Sequence, residues 1–399
     1  MNVRPLFYIS LCCFLVFSCQ ENKVPTPVFQ SSQVFPDSNQ FAPQFPVISH
    51  DFRVASKAYA NKFYRERIFH HGYSGTFLVA KNGQVIFERT TGYFNKKQKQ
   101  KLKSNDPIHV ASISKVATAI QILRLCDRGL IDLNADVRIY LKDFPYKDIT
   151  VKMLLNHRSG LPYYGYFSDN SSIWNRKKLL TNRDVLKLIK KHQFKPYFPP
   201  NKKFSYCNTN YVMLALIAEE ILQKPFPQIM REEFFNPLGM SNSFIADTST
   251  NFKNVCQSYR QSGASFKFNF LDGIYGDKNM YTTARDLLKM DVASYNSNFL
   301  SDSIKALMFK GYSFEKRKGA VNYGLGIRMY LFKGKKPFYY HTGWWHGNSA
   351  CYASLRTDTL CVIALSNQFT KSVYQVRNMT PYFGNYPSDF SYESLDVEE

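Results

Sequence analysis

Strand-like segments lie near both ends of this chain, and a long helix-like stretch separates them. Near the N-terminus, two β-rich runs flank Asn82-Gly83, a dipeptide that favours the tight turn of a β-hairpin. Apolar residues at helical spacing occupy the middle of the chain, in segments 112–126, 182–192 and 211–222. Strand-like runs return at 338–342, 351–355 and 360–365. This order predicts one sheet that is closed by strands from both ends of the chain, with a helical insertion between them.

The composition is that of a globular protein. Of 399 residues, 44% are hydrophobic and 16% are aromatic, which is too rich in core-forming residues for a disordered chain. The 52 Lys and Arg against 30 Asp and Glu give a formal net charge of +22. Because no nucleic-acid motif accompanies this charge, we expect no nucleic-acid partner. A lysine-rich run at 96–103 is interpreted as a solvated loop, with contact to an anionic lipid or polysaccharide as the alternative.

The first residues have the pattern of an export signal. Arg4 precedes a mainly apolar stretch at 5–17, whose 13 residues are too few to span a bilayer. Val16-Phe17-Ser18-Cys19 resembles a bacterial lipobox, which predicts a signal peptide at 1–18 and a lipid on Cys19. An ordinary signal peptide is the alternative. We therefore expect an exported bacterial lipoprotein of the cell envelope, periplasmic or at the cell surface, held at the membrane by its lipid anchor.

A Pro-, Ser- and Gln-rich segment follows the predicted lipidation site and suggests an extended tether over residues 19–48. Ser49 then suits the N-cap of a helix that runs to about Phe69. The globular domain is predicted over 49–375, and residues 376–399 are interpreted as a C-terminal tail.

The five cysteines that follow Cys19 predict neither disulfides nor a metal site. They are odd in number and lack metal-ligand spacing: Cys126, Cys207, Cys256, Cys351 and Cys361. A hairpin turn expected near residue 357 puts the last two about three residues out of register. We interpret all five as inert or buried thiols. Because no glycine-rich phosphate loop opens a helix either, we expect no metal and no cofactor.

A serine followed three residues later by a lysine gives the first chemical signal. Ser112 lies at the start of an apolar-periodic helix, and Lys115 shares its helix face. A serine hydroxyl is a weak nucleophile that needs a base, and a lysine serves when burial or nearby positive charge keeps its amine partly neutral. Ser-x-x-Lys by itself is a weak motif, because most chance matches lie on surface helices.

Two later motifs add groups that suit acyl transfer. In Tyr206-Cys207-Asn208, a loop that presents alternate residues to one side would aim the phenol and the amide at a pocket. The phenol can relay protons there, and the amide can hold a substrate carbonyl. In His341-Thr342-Gly343, at the end of a predicted strand, the glycine would let a substrate backbone approach. The structural alternatives are a packed loop and a strand histidine with a satisfied ring.

Taken together, these motifs fall in the order and rough separation of the serine β-lactamase and penicillin-binding-protein superfamily. The chain looks most like the branch of class C β-lactamases, DD-peptidases and esterases, over about residues 50–370. Flanking segments agree with that pattern: Leu154–Pro162, Asn236–Met240 and Tyr281–Leu287. The resemblance implies an α/β (α+β) fold of β-lactamase type, with an antiparallel sheet, flanking terminal helices and a mainly helical lobe at about 104–280.

The resemblance also implies a mechanism. Ser112 would attack an amide or ester carbonyl to form an acyl-enzyme, while Lys115 and Tyr206 handle the proton and water releases the acyl group. The backbone N–H groups of Ser112 and Trp344 would form the oxyanion hole. Near the pocket rim we expect Arg158, Tyr163 and Tyr164, and the indoles of Trp344 and Trp345 would narrow the cleft, stack on substrate or simply pack.

Substrate contacts are expected from Asn208, His341, Thr342 and Gly343. Many β-lactamases have lysine where this chain has His341, and a histidine, with a reference pKa of about 6.5, is largely neutral at pH 7. Its weaker attraction for a β-lactam carboxylate favours a DD-peptidase or esterase-like hydrolase over an efficient β-lactamase, although one sequence does not separate D-Ala-type cell-wall peptides, esters and β-lactams as substrates. The alternative is a non-catalytic or slowly turning over protein that binds penicillin or cell-wall peptides.

Overall fold

The computed structural model describes residues 41–69, 72–315 and 320–387. The predicted signal peptide, Cys19 and most of the predicted tether lie outside these residues. The helices are α1 (His50–Phe63), α2 (Ser114–Asp127), α3 (Val151–Leu155), α4 (Tyr164–Asp169), α5 (Asn182–His192), α6 (Thr209–Leu222), α7 (Phe226–Ile229), α8 (Ala284–Ala293) and α9 (Asp302–Met308). The strands are β1 (Gly75–Lys81), β2 (Gln84–Thr91), β3 (Tyr93–Asn95), β4 (Gln100–Lys101), β5 (Ile108–His109), β6 (Phe244–Ile245), β7 (Met280–Thr282), β8 (Val321–Tyr323), β9 (Arg328–Tyr330), β10 (Phe338–Trp345), β11 (Asn348–Leu355) and β12 (Leu360–Ser366).

The main sheet has seven antiparallel strands in the order β2-β1-β12-β11-β10-β9-β8. Asn82 and Gly83, with φ of +52° and +72°, make the predicted hairpin turn between β1 and β2. On its other side β1 pairs with β12, so strands from the two ends of the described chain lie side by side. This confirms the prediction of one sheet closed from both ends.

Helical segments from both ends of the domain cover one face of the sheet. Ser49 caps α1 as predicted, because its hydroxyl accepts a hydrogen bond from the Phe52 N–H at 3.3 Å. A long 3-10 segment, Ser372–Phe383, packs on the same face. The rings of Tyr59 in α1 and Tyr382 in this segment stack with their centroids 3.7 Å apart.

The residues after 375 do not all form the predicted tail. Val373, Val376 and Met379 are fully buried against the sheet. Their spacing of three matches the three residues per turn of a 3-10 helix, so one apolar side of this segment faces the core. This spacing matches neither the 3.6-residue period of an α-helix nor the alternation of a strand, so the sequence pattern did not indicate the segment. Tyr386 is also buried, so the packed body includes residues 376–387.

The packed body also begins before the predicted boundary at residue 49. Phe41 is only 4% exposed, and its ring meets the edge of Phe299 at 5.2 Å. The ring of Phe45 contacts Tyr295 in the same way at 5.5 Å. The last eight residues of the predicted tether, 41–48, therefore belong to the folded body, because their aromatic side chains find apolar partners there.

The other face of the sheet packs against a mainly helical lobe that contains α2 to α7. The lobe also holds a small sheet in the order β5-β7-β6, which the sequence analysis did not predict. Strands of two or three residues are too short to show alternation. Among the described helices, none is both long and apolar enough to serve as a membrane span. Within the described residues no disulfide joins any of the five cysteines, Cys126, Cys207, Cys256, Cys351 and Cys361.

Candidate active site

Ser112 lies in a strained turn that leads into α2. Ala111 is buried and has a φ of +48°, a left-handed conformation that a residue other than glycine rarely adopts. The 3-10 turn Ala111–Ile113 precedes α2. Ser112 therefore lies just before this helix, whereas the sequence predicted it at the helix start. Ser114 holds the turn, because its Oγ donates to Ala111 O at 2.6 Å and accepts from the Met280 N–H at 3.1 Å.

The amine of Lys115 lies beside the serine hydroxyl. Lys115 is fully buried, and its Nζ is 2.9 Å from Ser112 Oγ. The same Nζ donates to Asp277 O at 2.8 Å and lies 4.9 Å from the centre of the Tyr206 ring. A buried lysine is costly without polar partners, and these contacts supply them. The structure thus brings together the three groups predicted to handle the nucleophile and its proton.

The loop that carries Tyr206 is held by His157, a residue the motif search did not single out. The imidazole of His157 lies 4.2 Å from the centre of the Tyr206 ring, and its Nδ1 accepts from the Cys207 N–H at 3.1 Å. Its backbone O accepts from the Ser205 N–H at 3.0 Å. Burial, and then the charges of Lys115 and Arg328, lower the pKa of His157 well below its usual value. The ring is therefore neutral and can keep Nδ1 as an acceptor.

Asn208 and Cys207 follow Tyr206 in the same loop, and all three line one cavity. Asn208 lines the cavity described below, and its side-chain oxygen has no hydrogen-bond partner among the described residues. Cys207 is buried, and its Sγ lies 3.3 Å from Leu161 O.

Strand β10 lies directly against the nucleophile's turn. A Cβ on Gly343 would come within 2.2 Å of Val110 O and 3.2 Å of Ser112 N. The glycine is therefore needed for contact between two parts of the protein, a reason that differs from the predicted approach of a substrate. Thr342 and Trp344 line the cavity on either side of it. This closeness fits the predicted oxyanion hole at the backbone of Ser112 and Trp344, which stays a prediction.

His341 does not lie where direct substrate contact was predicted. It is fully buried beneath the site and does not line the cavity, and its Nε2 is 3.1 Å from the hydroxyl of Tyr323. Burial, followed by the charges of Arg328 and Lys115, lowers the pKa of His341 well below its usual value. The ring is thus neutral at pH 7, as expected, but it packs beneath the site and does not reach the cavity.

A cavity of about 600 Å³ opens over these groups and supplies two cations that sequence reasoning missed. Arg328 on β9 and Arg377 in the C-terminal 3-10 segment both line it. The guanidinium of Arg328 lies over the Tyr206 ring, 4.9 Å from its centre. The strand-like pattern around residue 328 was visible in the sequence, but nothing in it indicated that this side chain would meet Tyr206.

The predicted rim residues differ in their placement. Tyr163 lines the cavity, whereas Tyr164 is fully buried and donates to Asp277 Oδ2 at 2.6 Å. Arg158 is absent from the cavity wall and forms an ion pair with Glu315. Trp344 and Trp345 both line the cavity. Within the described ranges, no cluster of three or more His, Cys, Asp or Glu side chains is arranged to bind a metal ion.

Comparison with known proteins gives one family. The family model described as Beta-lactamase matches residues 60–380. Penicillin-binding protein 4* of Bacillus subtilis (strain 168) is 28% identical over 321 residues, which cover 76% of this chain and 70% of that protein.

Two solved structures share the fold at lower identity. A penicillin-binding protein from Bacillus halodurans matches with a TM-score of 0.70 and 22% identity, over 84% of this chain and 100% of that one. A D-stereospecific amidohydrolase from Streptomyces sp. matches with a TM-score of 0.63 and 20% identity, over 81% of this chain and 98% of that one. These likenesses agree with the predicted β-lactamase-type fold.

Proposed function

Because this chain belongs to the beta-lactamase family of serine hydrolases, we propose that it hydrolyses D-Ala-type peptides of the bacterial cell wall, or related esters, through an acyl-enzyme on Ser112. The proposal depends most on one observation, the 2.9 Å between Lys115 Nζ and Ser112 Oγ beside the cavity. A hydroxyl held against a buried amine is a nucleophile with its base.

In the proposed reaction, Ser112 Oγ bonds to the substrate carbonyl carbon while its proton moves to Nζ of Lys115, which acts as the base. The bond from that carbon to the leaving nitrogen or oxygen then breaks, and Tyr206 and Lys115 return the proton to the leaving group. Water next adds to the acyl carbon, gives its proton to the same pair, and frees Ser112. Asn208 and Thr342 orient the substrate in both steps.

A carboxylate on the substrate is supported by the two arginines of the cavity. Arg328 and Arg377 line it, whereas the neutral ring of His341 lies buried beneath it. A guanidinium binds a carboxylate through paired hydrogen bonds, so it can take over the electrostatic role that lysine has in Lys-Thr-Gly enzymes. D-Ala-type peptides end in such a carboxylate, and the name of the Bacillus subtilis relative, a penicillin-binding protein, points to the same substrate class.

The test compares an acyl-D-Ala-D-Ala peptide with its C-terminal amide, in the wild type and in Arg328→Gln. We expect kcat/KM for the acid to fall roughly 10- to 100-fold in the variant, the usual worth of a charged hydrogen bond, while kcat/KM for the amide changes little. Arg377→Gln is the matched variant for the second guanidinium. Equal losses for acid and amide, at unchanged Tm, would contradict the carboxylate assignment.

The same experiment addresses the alternative of a slowly turning over binding protein. A burst of one equivalent of product per Ser112, followed by almost no further release, would favour that alternative over a hydrolase. Steady release at a constant rate is the outcome that the proposal expects, because the cavity is open enough to admit water to the acyl group.

The anchor remains a separate proposal, supported by the sequence Val16-Phe17-Ser18-Cys19. We propose that the protein is exported and lipidated on Cys19. Radiolabelled palmitate should be incorporated by cells that express the protein and not by cells that express Cys19→Ala. Labelling of that variant at the wild-type level would rule the anchor out.

A further inference from the structure

Three tyrosines form one wall of the active-site cavity, on the side of the helical lobe. Tyr163, Tyr166 and Tyr197, called here the tyrosine wall, line the same cavity as Ser112. Tyr166 and Tyr197 are 66% and 53% exposed, which is unusual for large aromatic side chains that are grouped together. Exposed aromatic faces beside a nucleophile are surfaces on which a substrate can stack.

The wall is fixed in place rather than loosely arranged. A Cβ on Gly165 would lie 2.7 Å from two ring atoms of Tyr163, so the hydroxyl end of this ring lies directly against the glycine. The ring of Tyr166 meets Tyr163 edge-to-face, with centroids 4.9 Å apart. The hydroxyl of Tyr197 accepts from the Tyr163 N–H at 3.2 Å. Rings held in this way lose little conformational entropy when they bind a ligand.

Hydrogen bonds tie the wall to the loop that orients the substrate. Thr209, directly after Asn208, donates from its Oγ1 to Pro162 O at 2.7 Å and accepts there from the Tyr164 N–H at 2.9 Å. Pro162 and Tyr164 flank Tyr163 in the chain. The tyrosine wall therefore adjoins Asn208, the amide proposed to hold the substrate's acyl portion, whereas Arg328 belongs to strand β9 of the main sheet.

We propose that the tyrosine wall is a subsite for a six-membered ring, aromatic or saccharide, carried by the acyl portion of the substrate. The inference rests on the proposed hydrolysis through Ser112 and adds to it the chemical class of the acyl group. Both kinds of ring present a flat C–H or π face that stacks on tyrosine, and phenolic hydroxyls can bond to polar groups at the ring edge.

The test uses three thioesters with mercaptoacetate as the shared leaving group, so that the carboxylate end stays constant. Their acyl groups are acetyl, phenylacetyl and N-acetylmuramoyl, and thiol release reports hydrolysis. We expect kcat/KM for at least one ring-bearing thioester to exceed the acetyl value, and the better of the two identifies the kind of ring. This excess should fall roughly three- to tenfold in Tyr163→Leu and in Tyr166→Ala, the usual worth of one aromatic contact.

Gly165→Ala is the sharpest variant, because its methyl group must displace the Tyr163 ring without removing any aromatic side chain. It should lower the preference for the ring-bearing thioester while the acetyl thioester is cleaved as by the wild type. Tyr197→Phe keeps the ring and loses only the hydrogen bond to the Tyr163 N–H, so it should lower the preference less than Gly165→Ala does. A structural defect would instead lower all three rates together.

Two outcomes overturn the inference and are distinguishable. Equal kcat/KM for all three thioesters, with hydrolysis that depends on Ser112, would remove the ring subsite and leave the proposed function standing. Cleavage of none of the three would remove both proposals, because the subsite has meaning only for a substrate that is acylated onto Ser112.

Discussion

The position of Tyr206 depends on His157, a residue outside the three motifs. Its Nδ1 accepts from the Cys207 N–H, its ring lies against Tyr206, and Asn210 Nδ2 is 3.1 Å from the same Nδ1. Protonation would remove that acceptor, so the low pKa of His157 is part of how the loop is held. His157 is a positioning residue, because it acts on substrate only through Tyr206.

Replacing His157 tests this role. In His157→Leu the loop loses its acceptor, and we expect kcat to fall by roughly 100-fold with little change in KM, since small displacements of catalytic groups cost about that much. His157→Asn keeps an acceptor at nearly the same place as Nδ1 and should recover most of kcat. Steady-state kinetics with one ester substrate measures both. Equal kcat losses in the two variants, at similar Tm, would mean that the hydrogen bond does not position the tyrosine.

At the residue scale the sequence predicted three groups that the structure brings together beside the cavity, but not the residues that support them. Ser112, Lys115 and Tyr206 were recognised because their spacing and order form a pattern. Arg328 and Arg377 could not be, since each reaches the cavity from an element remote in sequence, and a single arginine in a strand or a tail carries no signal. The motif His341-Thr342-Gly343 predicted that His341 contacts substrate. The side chain is buried instead, because its position depends on how β10 packs, which the motif does not encode.

Strand β10 and the nucleophile's turn form the contact on which the active site depends. Gly343→Ala would bring a Cβ within 2.2 Å of Val110 O, so one of these elements must move. We expect kcat to fall about 100-fold or more, the cost of losing an oxyanion donor, together with a lower Tm. Gly129→Ala is the control, because Gly129 has a φ of +70° and open space around it. It should lower Tm without lowering kcat.

Activity of Gly343→Ala within threefold of the wild type would contradict this account of the contact. A loss of kcat in Gly129→Ala as large as in Gly343→Ala would show that instability alone explains both variants.

At the element scale, long periodic segments were predicted well and short or unusual ones were not. Segment 182–192 matches α5 residue for residue, and the hairpin at Asn82-Gly83 formed as expected. The small sheet in the lobe was not predicted, because its strands have only two or three residues and are too short to show alternation. The 3-10 segment Ser372–Phe383 was not predicted because its apolar residues recur every three positions. This segment carries Arg377, which lines the cavity.

Three buried histidines give the whole molecule a predictable dependence on acid. Burial lowers the pKa of His109 to about 4. Burial is also the main reason why the pKa values of His157 and His341 lie well below the usual value. In the unfolded chain each titrates near 6.5, so below that pH the unfolded state binds more protons than the folded state. The free energy of unfolding therefore falls as pH falls.

For each of these histidines, the free energy of unfolding should fall by up to about 1.4 kcal/mol per pH unit, from roughly pH 6.5 down to the pKa of that histidine in the folded state. Urea denaturation at pH 7, 6 and 5 measures it. In His109→Asn, which keeps an acceptor for the Ala111 N–H, the slope should be smaller than in the wild type by about one histidine's share. A slope that is unchanged in this variant would mean that His109 does not stay neutral in the fold.

The measurement that tests the central claim most directly is mass spectrometry of the purified protein, quenched in acid during turnover of the phenylacetyl thioester or after incubation with a penicillin, alongside Ser112→Ala. The account predicts an adduct of the acyl group's mass on the peptide that contains Ser112, and no adduct in the variant. An adduct that persists in Ser112→Ala, or substrate turnover by that variant within tenfold of the wild type, would contradict the claim that Ser112 is the nucleophile.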